Sequence, residues 1–169
     1  MLAASAGLAG CADDVERASG ELALTNVEGL WVDVSLDADD PFAERAPSMR
    51  ECSLAGWLVE ADGTEVDTGL CNFVSLQQPT LLDARRGDAL RVVFFHFDLT
   101  SPEPAEGFAA LALGDEVVWT YETRIPGPAG YFDEVVELER GAPAGTPLTF
   151  HIDNHGQNTW KLGLLQLNP

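Results

Sequence analysis

After about residue 27 the chain alternates apolar and polar side chains with a period of two. In Leu30-Trp31-Val32-Asp33-Val34-Ser35-Leu36 the aliphatic residues take every even position, the mark of a half-buried strand. Residues 53–59 read as a second strand, turned back at Ala61-Asp62-Gly63 towards Val66 and then residues 71–76. Residues 90–99 are apolar on both faces and predict a central strand. Residues 108–113 and 116–122 flank Gly114-Asp115, predicting a tight hairpin with Val117, Trp119 and Tyr121 on one face. Further strands are expected over 131–138, 148–153 and 159–167, the last with Trp160, Leu162 and Leu164 on one side. No stretch has convincing helical periodicity.

This gives about nine or ten short strands, with most of the ten prolines and sixteen glycines in the turns between them. The pattern predicts an all-β fold, an antiparallel β-sandwich with jelly-roll or other Greek-key connections. An immunoglobulin-like sandwich is the alternative topology. The chain has 169 residues, enough for one domain with a sizeable core, expected over residues 27–169. At the level of architecture this outline resembles carbohydrate-binding modules.

Charge narrows the partners. Twenty-eight acidic residues against nine basic ones leave a net charge of −19, and Lys161 is the only lysine. Such a surface repels phosphate backbones and anionic lipid headgroups, which argues against nucleic acid as a partner.

The N-terminus reads MLAASAGLAGCADD, a short apolar stretch of small residues that stops at a cysteine and turns acidic. Leu8-Ala9-Gly10-Cys11 resembles the lipobox of bacterial lipoproteins. The resemblance implies a signal peptide over residues 1–10, truncated at its start, and cleavage before Cys11. It also implies acylation of the Cys11 thiol and a flexible tether over 11–26. Ala12 after the cysteine is similar to lipoproteins sorted to the outer membrane, so the expected location is the outer membrane of a bacterium, on its periplasmic or outer side. In such an oxidising compartment Cys52 and Cys71, 19 residues apart, are expected to pair as a disulfide.

Three sets of residues are candidates for binding chemistry. His96 and His151 would share one face if their strands were neighbours, with Asp98 or Asp153 supplying a carboxylate and His155 close by. Imidazole and carboxylate ligands suit zinc or copper. Asp37, Asp39 and Asp40 crowd three carboxylates into four residues, a hard-oxygen set suited to calcium. Trp31 lies opposite the aliphatic face of the first strand and is the tryptophan expected to be exposed as a stacking platform for sugar rings. The polar turn at Asn154-His155-Gly156 needs no ligand, since Asn and Gly suit a tight turn by themselves. No G-x-S-x-G, S-x-x-K or H-E-x-x-H motif appears, so no enzyme is indicated. The reading is a lipid-anchored, non-catalytic binding or structural module with a glycan or an envelope protein as partner. The alternative is a periplasmic or surface metal-binding protein built on His96 and His151.

Overall fold

In the computed structural model, residues 22–25 and 31–168 are described. They form eleven strands and one short 3-10 turn (Ala43–Arg45). The strands are β1 (Leu22–Ala23), β2 (Val32–Asp33), β3 (Trp57–Glu60), β4 (Gly63–Asp67), β5 (Phe73–Pro79) and β6 (Ala89–His96). They continue with β7 (Ala105–Leu113), β8 (Glu116–Ile125), β9 (Gly130–Glu137), β10 (Pro147–Asn154) and β11 (Thr159–Asn168). One sheet runs β3-β4-β11-β6-β9, with β1 on the edge of β11 beyond the point where β4 leaves it. The other runs β2-β5-β10-β7-β8. Every strand pair among the described residues is antiparallel. Apart from the β3–β4 and β7–β8 hairpins, successive strands cross from one sheet to the other. That is the jelly-roll pattern expected from the turn-rich sequence, rather than the immunoglobulin-like alternative.

Period-two alternation puts Leu90, Val92 and Phe94 of β6 and Leu148, Phe150 and Ile152 of β10 into the space between the sheets, all fully buried. Phe94 is the hub. Its ring lies 5.1 Å from Trp119, 5.9 Å from Trp160 and 6.4 Å from Phe150, so it joins aromatic side chains of both sheets. At these spacings edge-to-face and offset pairs add about 0.5–1.5 kcal/mol each to the burial of their area. Close packing extends to the backbone: a Cβ on Gly107 would sit 2.8 Å from the Trp160 ring.

Several faces differ from the alternation read along the sequence. Trp31, expected to be exposed, is only 7% exposed and belongs to the core, while Val32 is 58% exposed. β2 is a two-residue strand whose register on β5 turns the tryptophan inward. A β-bulge opposite Leu111/Ala112 places Val117 outside while Trp119 stays inside. A second, at Leu162/Leu164, leaves Trp160, Leu162, Leu165 and Leu167 inside and moves Leu164 to the other face. Each bulge adds one residue and so reverses the parity of the strand beyond it. The domain also starts earlier than residue 27. Leu22 and Ala23 pair with Leu167 and Gln166, and Leu24 is buried in the core, so the expected tether does not extend to residue 26. The expected signal peptide over 1–10 and the expected lipidation site Cys11 lie outside the described residues.

Cys52 and Cys71 form the expected disulfide, closing the loop that holds β3 and β4. In the chain-entropy model a loop of this length is worth about 3 kcal/mol. We expect the Cys52→Ser/Cys71→Ser double variant to lose about 3 kcal/mol in a urea unfolding titration. A loss below about 0.5 kcal/mol would show that the cross-link does not restrain the unfolded chain.

Candidate functional site

The stretch Leu148-Thr149-Phe150-His151-Ile152-Asp153 sends its even residues into the core. Thr149, His151 and Asp153 therefore lie on the outer face of the second sheet. On β7 the same alternation places Phe108, Ala110 and Ala112 outside, and on β5 it places Phe73 and Ser75 there. This outer face is not bare. The segment 34–46 after β2 crosses it as a strap and forms a second, small apolar cluster in which Phe42 joins Phe108, Ala110 and Ala112. The alanines leave room for Phe42, which stacks on His151 with ring centres 4.5 Å apart and 19° between the planes.

Asp40 pins the strap. Its buried carboxylate accepts the backbone N–H groups of Phe42 and Leu36, each at 3.0 Å, and the Ser75 hydroxyl at 2.7 Å. Leu36 has a φ of 68°, unusual for a residue with a branched side chain, and its bond to Asp40 helps to hold it there. A carboxylate can only accept, so Ser75 gives its single proton to Asp40. His151 Nδ1 then carries a proton and donates to Ser75 Oγ at 2.9 Å. On the far side of the ring, Nε2 faces Asp153 Oδ2 at 3.4 Å. Arg45 closes the strap, with Nε 2.6 Å from Asp153 Oδ2 and the guanidinium 3.6 Å above the centre of the Phe108 ring.

Serine, histidine and aspartate side by side suggest a nucleophile and its base. Ser75 and His151 are both fully buried under the strap, however, and no substrate reaches Ser75 Oγ. Arg45 and Asp153, at the outer side of this network, instead border an open cleft. Beside the strap lie two adjoining hollows of about 1080 and 540 Å³ that share Arg45, Glu106, Arg124 and Asp153. Glu106 and Arg124 are register partners on β7 and β8, and Glu122 is opposite Phe108 on the same pair. The exposed prolines Pro104 and Pro126 give the larger hollow an apolar side, and Glu44 and His155 also line it. Planar carboxylates and guanidiniums thus converge over an apolar surface, an arrangement typical of a site for a small polar ligand or a segment of polymer.

The expected sites fare unequally. His96 is on β6 of one sheet and His151 on β10 of the other, so the two do not meet across neighbouring strands. The His96 ring nitrogens face the Phe97 carbonyl at 2.9 Å and the Tyr121 hydroxyl at 3.0 Å, both inside the sandwich. Asp98 accepts the Ala129 N–H, and Asp153 binds Arg45. His155 stands exposed in the turn formed by Asn154, whose side-chain oxygen accepts the Gly156 N–H two residues on. Of the calcium set, Asp40 is buried and turned to the strap, while Asp37 and Asp39 are exposed. Among the described residues no three His, Cys, Asp or Glu side chains cluster to hold a metal ion. Among the described residues the exposed aromatic ones are Tyr131 and Phe97, not Trp31. Ser75, Arg45, Glu106 and Arg124 carry no sequence motif. The available signal was the scarcity of basic residues in so acidic a chain, two of which face this cleft.

Burial lowers the pKa of His151 below 6.5, although Asp153 and Asp40 pull it upward. Burial would raise Asp153, but the Arg45 guanidinium bonded to it outweighs that and holds it below 3.8. As pH falls through about 6.5 the unfolded chain takes up a proton that buried His151 refuses, so stability decreases. The contribution of Asp153 is present above its unfolded value and is lost only as pH falls through its lower folded value. We expect the urea midpoint to drop between about pH 7.5 and 5.5, and this drop to shrink in His151→Gln. An equal drop in the variant would remove His151 as its cause.

No family model matches the chain, and no curated protein matches it in sequence. Among solved structures it is similar to an arabinose-bound α-L-arabinofuranosidase, at 14% identity and a TM-score of 0.40 over 72% of this chain. The chain spans about a quarter, 24%, of that enzyme's length. A family 16 carbohydrate-binding module is similar at 11% identity and a TM-score of 0.36, over 62% of this chain and 74% of the module. A family 11 carbohydrate-binding module from Clostridium thermocellum, in complex with a β-1,3-1,4-mixed-linked tetrasaccharide, is similar at 13% identity and a TM-score of 0.42. That match covers 89% of this chain and 96% of the module. The jelly-roll assignment rests on the strand order of the chain itself.

Proposed function

We propose that the protein is a non-catalytic binding module that holds a carbohydrate chain in the cleft over β7, β8 and β10. The observation that carries this reading is the lining of that cleft. Glu106, Glu122 and Arg124 present planar, bidentate-capable groups beside the exposed apolar surfaces of Pro104 and Pro126. A sugar ring has the matching chemistry, with adjacent hydroxyls around its rim and apolar C–H groups on its faces. Arg45 and Asp153 are already paired, so the wall they form does not depend on ligand to take shape.

The same reading includes a lipid anchor at Cys11. β1 joins β11 near Leu167, so the preceding chain enters the domain at the end where β11 stops. The cleft lies at the other end, beside the β10–β11 turn and the start of β7. The ten residues of β11 span about 33 Å at the usual strand rise. A chain anchored at Cys11 would then join the domain at the end opposite the cleft.

Two measurements test the two parts. In isothermal titration with mixed-linked β-1,3-1,4-glucan, arabinan and xylan, the Cys11→Ser chain should bind at least one. Arg124→Ala and Glu106→Gln should each weaken that binding about tenfold or more, about 1.4 kcal/mol. Binding that both variants keep would place the ligand elsewhere. For the anchor, bacteria fed radiolabelled palmitate should label the wild-type chain and not Cys11→Ser, and equal labelling of both would refute it.

A further inference from the structure

The outer face of the other sheet has its own chemistry, remote from the cleft. Its register aligns Leu58, Glu65, Lys161, Phe95 and Tyr131 in one row across β3, β4, β11, β6 and β9. With neighbouring strands about 4.8 Å apart, the row spans about 19 Å. Tyr131 is 68% exposed and Phe97, two residues beyond Phe95 on the same face, is 59% exposed. The Phe95 and Phe97 rings lie 6.3 Å apart and nearly perpendicular. Three aromatic rings therefore gather at the β6–β9 side of the sheet.

Polar groups lie beside them, further along the same strands. Arg91 holds Asp133 through two bonds of 2.7 Å, and Gln166 lies opposite Arg91 within 3.3 Å. Lys161 is bracketed by Glu60 and Asp62, which hold its ammonium group protonated despite burial. On a chain of net charge −19, both basic residues of this face are matched by carboxylates within it.

We propose that this face is a second carbohydrate-binding surface, which takes the ring faces of a neutral polysaccharide on Tyr131, Phe97 and Phe95. Hydroxyls of the same chain would meet Arg91, Asp133 and Gln166. A face whose cations are already paired offers nothing extra to an anionic polymer, and the net charge repels one. A second copy of the protein fits less well. Two such copies repel each other, and the Arg91–Asp133 pair interrupts the apolar area that the core of a stable dimer would need. Together with the cleft this face would make the domain bivalent, so one molecule could engage two chains or two stretches of one chain.

The test uses the Cys11→Ser chain and its Tyr131→Ala and Phe97→Ala variants, retained on insoluble cellulose, mannan and xylan. Both side chains are well exposed, so melting temperatures should stay within about 2 °C of the parent. We expect the parent to be retained on at least one of these neutral polymers, and each variant to lose about tenfold or more in retention. Measured in an Arg124→Ala background, which removes the cleft's share of retention, Tyr131→Ala and Phe97→Ala should each still lower retention about tenfold relative to Arg124→Ala alone. Retention of the parent on none of the three overturns the proposal, as does equal retention of the parent and both face variants. Sedimentation equilibrium supplies the remaining arm. A dimer that Tyr131→Ala dissociates would assign the face to self-association and overturn the proposal.

Discussion

The packing of the two sheets through Phe94 is the constraint on which the rest of the molecule depends. Its ring contacts Trp119 and Phe150 from one sheet and Phe132 and Trp160 from its own, and these five aromatic residues come from five different strands. With the inner faces committed in this way, an accessible ligand can meet only an outer face, an edge or a loop. The two surfaces that carry unexplained chemistry are accordingly the two outer faces. Close packing limits what can change inside: a side chain on Gly107 would enter the Trp160 ring, and one on Gly130 would lie 2.8 Å from His96 Nε2.

The second sheet solves a different problem. Its outer face carries Phe73, Phe108 and two alanines, which would be an exposed apolar patch without the strap. Covering that patch buries the polar groups of Asp40, Ser75 and His151. Burial of unpaired polar atoms costs several kcal/mol, and here they are joined in one chain of hydrogen bonds. The weak link is His151 Nε2, which as a neutral ring has no proton for Asp153. Arg45 occupies that side of the carboxylate instead, and so the same interaction that closes the strap also shapes the wall of the cleft.

If both faces bind sugar, they do so by different means. The cleft offers depth, with carboxylate and guanidinium groups that orient hydroxyls. The opposite face is shallow and relies on ring stacking. Their separation by the full thickness of the sandwich prevents one sugar ring from touching both, so any cooperation between them is a matter of effective concentration along a long polymer.

How much of this could be read from the chain alone depends on the range of the interactions involved. Alternation along Leu90–His96 and Leu148–Ile152 revealed the strands and their buried residues, because inside–outside parity is set by the backbone and needs no knowledge of the partner strand. The turn at Asn154 was equally local, since a side-chain oxygen meets an N–H two residues away. Trp31, Val117 and Leu164 were misplaced because a short strand and two bulges fix their faces through register with other strands. The histidines illustrate the limit most clearly: His96 points between the sheets and His151 away from them, and the strand order puts them in different sheets. Sequence by itself determined the strand content, the acidic surface and the turn positions, all consequences of local chemistry. Only the tertiary structure decided that Arg45, Glu106, Arg124 and Asp153 share a cleft and that Phe95, Phe97 and Tyr131 share a face, because no short-range pattern encodes which strands become neighbours.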